Sequence, residues 1–167
     1  ITDERVGGSI GMVSVKDRVT ADVTVSGGPT TIWTKNIAGG TLGTNKLLAY
    51  VGAIKSYDSN GTTTTLAFHF GATTIASIVI DFGANVIDRG SGWIKADLYG
   101  DGATNAQILI AEVFVQNFSS YGSSWSGTNQ FHSVQVKTSS VDSTVAQDFK
   151  IVATGAIVMG HGHLRKE

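Results

Sequence analysis

The chain has 167 residues, 12 Lys and Arg against 13 Asp and Glu for a formal charge of −1, 21 Gly, one Pro and no Cys. That length is one domain's worth and buries about two thirds of the unfolded surface, so a core forms without disulfide or thiolate-metal staples. Charged residues at 15%, against a usual ~25%, describe a hydroxyl-rich, weakly charged surface. The balance removes the field that nucleic-acid binding needs, and no apolar run reaches the ~18 residues of a bilayer span, so neither partner is expected.

Residues 1–10, Ile1-Thr2-Asp3-Glu4-Arg5-Val6-Gly7-Gly8-Ser9-Ile10, follow neither the strand nor the helix period and carry a Gly-Gly hinge. They read as an N-terminal arm, with Ile1, Arg5 and Ile10 as candidate docking side chains, ahead of a single domain over 11–167. No charged-then-apolar leader opens the chain, which begins at Ile1 as a processed or truncated product would. Residues 12–15 and 19–25 alternate apolar and polar side chains, the two-residue period of half-buried strands. Ser26-Gly27-Gly28-Pro29 predicts a turn, because glycine supplies positive φ and proline lacks the N–H of a ladder.

A β-branched strand around Trp33 follows over 30–37, then a Gly/Asn loop over 38–46 and a strand over 47–54. Asn60-Gly61 predicts a tight hairpin joining that strand to 62–70, where Leu66, Phe68 and Phe70 share one face and Ala67 and His69 the other. Further strands are expected over 73–82 and, around Trp93, over 92–99. Residues 105–118 carry Leu109, Ala111, Val113 and Val115 on one face and Ile108, Ile110, Glu112 and Phe114 on the other, which predicts a central strand covered on both sides. A Ser/Gly/Tyr/Trp loop leads to alternation over 131–137, and the last strands, 149–154 and 156–159, are separated by Gly155. Nine or ten short strands without a helical period imply an all-β fold, an antiparallel β-sandwich or barrel.

Few residue patterns in the chain point to catalysis. Without cysteine there is no thiol nucleophile, and Gly122-Ser123-Ser124-Trp125-Ser126-Gly127 does not place a serine in the nucleophile-elbow pattern. Gly39-Gly40-Thr41-Leu42-Gly43-Thr44-Asn45-Lys46 lacks the lysine spacing and following helix of a phosphate loop. His161-Gly162-His163 has the spacing of two metal ligands but reads as a polar tail, and no cofactor or metal is expected. His69 is expected on a solvent or interface face. Glu112, inside an apolar run, is expected either on a solvent face or paired across an interface, since a lone buried carboxylate is costly. Tyr57, Tyr121 and Trp125 lie in or beside Gly/Ser segments, as surface-recognition rings do. Trp33, Trp93, Glu112 and Phe114 are the candidate self-association residues.

Trp33-Thr34-Lys35-Asn36-Ile37-Ala38-Gly39-Gly40-Thr41-Leu42-Gly43-Thr44-Asn45-Lys46-Leu47-Leu48 resembles the opening of jelly-roll domains in tailed-bacteriophage virion proteins. Asp58-Ser59-Asn60-Gly61 with Leu66 to Thr73, and Val141-Asp142-Ser143-Thr144 leading to Phe149-Lys150-Ile151, are similar to the later hairpin and last strands of that family. The likeness spans roughly residues 30–160 and departs at Lys46 and Ala72, where glycine is usual. It implies a jelly roll of the tumour-necrosis-factor type: a non-enzymatic homotrimer on the virion surface, decorating the capsid and bound to a major capsid protein or other virion proteins. A tail-fibre receptor-binding tip recognising a host-surface glycan, and a carbohydrate-binding module, are the alternatives.

Overall fold

A computed structural model describes residues 15–19, 21–57, 63–82, 90–117 and 130–166, with backbone alone at 15–19, 117 and 161–166. The predicted arm and the Asn60-Gly61 turn lie outside these residues. The described strands are β1 (Val15–Val19), β2 (Val23–Ile37), β3 (Leu47–Tyr57), β4 (Thr64–Phe70), β5 (Thr73–Ile80), β6 (Gly90–Gly100), β7 (Gln107–Asn117), β8 (Gln130–Ser139) and β9 (Gln147–Lys166). All pairings among them are antiparallel, in the order β5-β4-β9-β3-β6-β7-β8, with β1 and β2 on the second edge of β9. They make one continuous sheet curled toward closure, in place of the two separate sheets expected of a jelly-roll sandwich.

The organising element is β9. Two strands were expected there, broken at Gly155; one twenty-residue strand forms instead. On one edge it pairs with β4 through residues 149–154 and with β3 through 157–166, while β2 and β1 follow each other along the opposite edge. The strand survives Gly155 because glycine tolerates the bend: its φ is +127°, and a Cβ would stand 2.5 Å from Thr64 Oγ1 and 2.8 Å from the Thr63 carbonyl oxygen. Thr64 Oγ1 accepts from the Ala156 N–H at 3.2 Å, replacing the ladder bond lost where β9 leaves β4 for β3.

This arrangement corrects the predicted hairpin. β3 and β4 do not pair with each other; they lie end to end along one edge of β9, parted at the corner. The predicted turn at 26–29 is also absent, since β2 runs through it. Gly27 sits opposite Gly155, the register slips between Gly27 and Thr30, and Pro29 falls inside that slip, where no ladder N–H is demanded.

The ends of the sheet, β5 and β8, meet without a ladder. Gln135 Nε2 donates to the Ser77 carbonyl oxygen at 2.8 Å across the seam. Near one end of the curl Tyr57, Phe82 and Phe131 form a string with ring centroids 5.6 and 6.1 Å apart, joining β3, the end of β5 and β8. Near the other, Leu42 is fully buried among hydrogen-bonded loops: the Gly40 N–H donates to the Ser143 carbonyl at 2.8 Å, and the Ser143 N–H to that of Thr104 at 2.9 Å. The two stretches that carry the phage resemblance, 33–48 and 141–151, therefore touch. The interior is filled by Leu48, Tyr50, Ile54, Leu66, Phe68, Ile78, Ile80, Ile94, Leu98, Val113 and Ile151, each contributing about 1.5–3 kcal/mol by burial.

The corner makes one position decisive. Gly155→Ala combines a positive φ with a contact inside van der Waals range, so a loss of about 2 kcal/mol or more is expected, read as a lower urea midpoint with unchanged m-value.

Candidate functional site

Two of the expected surface residues are interior. Trp33 is 3% exposed: a register slip between Thr31 and Trp33 breaks the alternation of β2, and both Ile32 and Trp33 become buried. Its ring lies 4.5 Å from that of Tyr50 and 5.5 Å from that of Phe149, which removes it from any self-association surface. Burial also pushes the Tyr50 phenol well above its usual pKa, so it stays protonated. Tyr57 is fully buried at the foot of β3, opposite Gly90, whose missing side chain leaves it room, and its hydroxyl donates to the Ile80 carbonyl at 3.4 Å. It is a core ring and not a recognition ring. Tyr121, Trp125, Ile1, Arg5 and Ile10 lie outside the described residues.

The other three, Trp93, Glu112 and Phe114, converge, and His132 joins them. Directly opposite residues in antiparallel strands share a face, and the pairing puts Trp93 of β6, Phe114 of β7 and His132 of β8 in one row across the outer surface. Ring centroids are 6.0 Å apart for Trp93 and Phe114, with planes 22° apart, and 6.2 Å for Phe114 and His132. The next rung is charged: Lys95 stands opposite Glu112, whose Oε1 is 2.8 Å from His132 Nε2, while Lys95 Nζ is 2.8 Å from Asp97 Oδ2. That hydrogen bond raises the Lys95 pKa, and Asp97, nearly buried, keeps its Oδ1 without a partner. Glu112 is thus on an outer face and paired within its own chain. Beyond this rung the surface turns aliphatic, with Ile110 of β7 beside Val136 of β8, and Ile108 one row further.

β8 itself is inverted. Alternation over 131–137 would place the valines of a half-buried strand inward, yet Val134 and Val136 point outward, 51% and 62% exposed, and Ser133 and Gln135 face the interior. The register with β7, Glu112 to Val134 and Ile110 to Val136, decides this, because a one-residue slip would turn every side chain over. β7 is accordingly central in the sheet but buried on one face only. Leu109, Ala111, Val113 and Val115 are fully buried, whereas Ile108, Ile110, Glu112 and Phe114 remain half-buried among the described residues. The sequence offered a signal for this face in the apolar second side of 105–118, but none for the inversion of β8.

The opposite outer surface differs in kind. Across β2, β9, β4 and β5 the rows read Thr31–Val152–Ala67–Ser77 and Thr34–Lys150–His69–Thr74, threonine, serine and alanine side chains with Val152, Lys150 and His69 among them. His69 is on an outer face as expected, its Nδ1 3.1 Å from Thr74 Oγ1. No group of three or more His, Cys, Asp or Glu gathers among the described residues. The backbone of His161-Gly162-His163 belongs to β9 and is not a tail.

No family model matches the chain, and no curated protein is similar to it in sequence. Among solved structures, the CBM2 module of the evolved Dit of Lactobacillus casei BL23 phage J-1 is similar at 13% identity and a TM-score of 0.35, over 79% of this chain and 67% of that one. A likeness of that size bears on neither fold nor function here.

Partial burial, then the charge of Lys150, lower the His69 pKa below its ordinary 6.5. The native state then binds fewer protons than the unfolded chain, so this contribution is present above about pH 6.5 and is lost as pH falls through the native value. An NMR titration should place His69 below 6.5, and Lys150→Gln should move it upward.

Proposed function

We propose that the chain is a non-enzymatic structural protein of a bacteriophage virion, self-associating as a homotrimer on the particle surface through the outer face of β6, β7 and β8. The observation that carries this reading is the inverted β8. A strand at the end of a sheet that turns its valines to solvent, beside Ile108 and Ile110, leaves an apolar surface on a domain whose interior is otherwise complete. The surface across β2, β9, β4 and β5 is more mixed: Thr31, Thr34, Thr74 and Ser77 share it with Lys150, Val152 and the exposed Val79.

The contact runs face to face and not through strand edges. The edge of β2 turned away from β9 is interrupted by two register slips and by Pro29, devices that blunt strand addition. The aliphatic corner of Ile110, Val134 and Val136 is the centre of the contact, with Val134 at the β8 end of the Lys95–Glu112 rung. A nearly neutral surface suits assembly, since few ions are desolvated when copies meet. The virion assignment is supported by the resemblance of residues 33–48 and 141–151, whose loops lock together on Leu42.

Light scattering at micromolar concentration is expected to give three times the protomer mass. Val136→Lys, which places a cation at the contact without touching the core, should yield a folded monomer with an unchanged circular-dichroism spectrum. A wild-type monomer across that concentration range overturns the reading.

A further inference from the structure

The outer face holds two surfaces with different chemistry. The aliphatic corner is built of Ile108, Ile110, Val134 and Val136, with Asp97 opposite Ile110 and Glu112 opposite Val134 at its margin, whereas the aromatic row is flanked by Lys95 and Glu112, residue types depleted from the cores of protein–protein contacts. His132 is held by Glu112 at 2.8 Å and stands edge-on to both neighbouring rings, so the row is ordered before anything binds. We infer that Trp93, Phe114 and His132 form a saccharide-binding site, with Glu112 and Lys95 fixing the sugar's orientation.

The match is chemical. A pyranose ring offers C–H bonds on its faces and hydroxyls around its rim. Two aromatic rings with planes 22° apart present nearly parallel apolar surfaces to the former. The latter need acceptors and donors at the margin: Glu112 has a second oxygen, Oε2, beyond the one bound to His132, and Lys95 offers ammonium protons not used by Asp97. Gln116, one row beyond Phe114, adds an amide. Lys95 stands against the two carboxylates Asp97 and Glu112, so the site offers no excess of positive charge to an anionic sugar. A neutral glycan is favoured over an anionic one, and a few placed polar groups around an apolar floor are the usual make-up of a small-ligand site.

This inference shares with the proposed function only the outward orientation of the face, and the two fail separately. Cellohexaose, chitohexaose and xylohexaose are titrated against the whole chain with tryptophan fluorescence as the signal, and by calorimetry. At least one is expected to bind with a dissociation constant in the micromolar to millimolar range. Trp93→Ala and Phe114→Ala should each weaken that binding about tenfold or more, the loss of one stacking partner. Glu112→Gln, which keeps shape and fold, should weaken it with the fluorescence baseline retained. Val136→Lys should abolish self-association and leave sugar binding intact. Absence of binding by all three hexaoses at 10 mM (roughly the weakest affinity worth the name), or undiminished binding in folded Trp93→Ala, overturns the inference whatever the oligomeric state.

Discussion

The structure depends on one strand being paired on both edges along nearly all of its length. β9 supplies the ladder to which β1, β2, β3 and β4 attach, and the remaining strands follow outward from β3 and β4. Such a strand has to serve two differently directed parts of a curling sheet, and the bend is taken up at Gly155, where the partner on one edge changes. A side chain at that corner would collide with Thr63 and Thr64, so the close approach of β9 to β4 there requires glycine. Among the described strands, five of the eight pairings join strands that are not consecutive in the chain, four of them through β9. Folding is therefore expected to be slow compared with a meander of local hairpins.

Closure is achieved with side chains. A backbone ladder between β5 and β8 would make a complete barrel; in its place are the Gln135 amide on Ser77, the Phe82–Phe131 contact and the loops that bury Leu42. Inward Gln135 and outward Val136 are two results of one register. The residue that bridges the seam must face inward, and its valine neighbours must then face out. Seam chemistry and surface chemistry are thus linked through the period of two, and a change of register on β8 would forfeit both.

That linkage gives the outer faces different character. Threonine and serine recur across the sheet near β2 and β4, with Lys150, Val152 and Val79 among them, while rings, a charged rung and aliphatic groups occupy the face across β6, β7 and β8. The latter divides into a rung of rings, Trp93, Phe114 and His132, and rungs in which Val134 and Val136 stand beside Glu112 and Ile110. The division follows from which residues share a rung, information held in the pairing and not in either strand alone.

The class of structure and the existence of most strands are legible in the residue order, because period-two alternation, β-branched runs and glycine breaks are local signals. That order also singles out the second face of 105–118, since two apolar sides on one strand are visible in it. Tertiary structure decided what no local signal carries. The Asn60-Gly61 dipeptide flanks strands that pair with β9 and not with each other; Gly155 continues a strand because its neighbours needed a corner; Trp33 and Tyr57 are interior because a slip and an opposing glycine made room. The orientation of β8 is of the same kind. Alternation says that two faces differ, but only the hydrogen-bond register with β7 and the crossing to β5 determine which of them meets water.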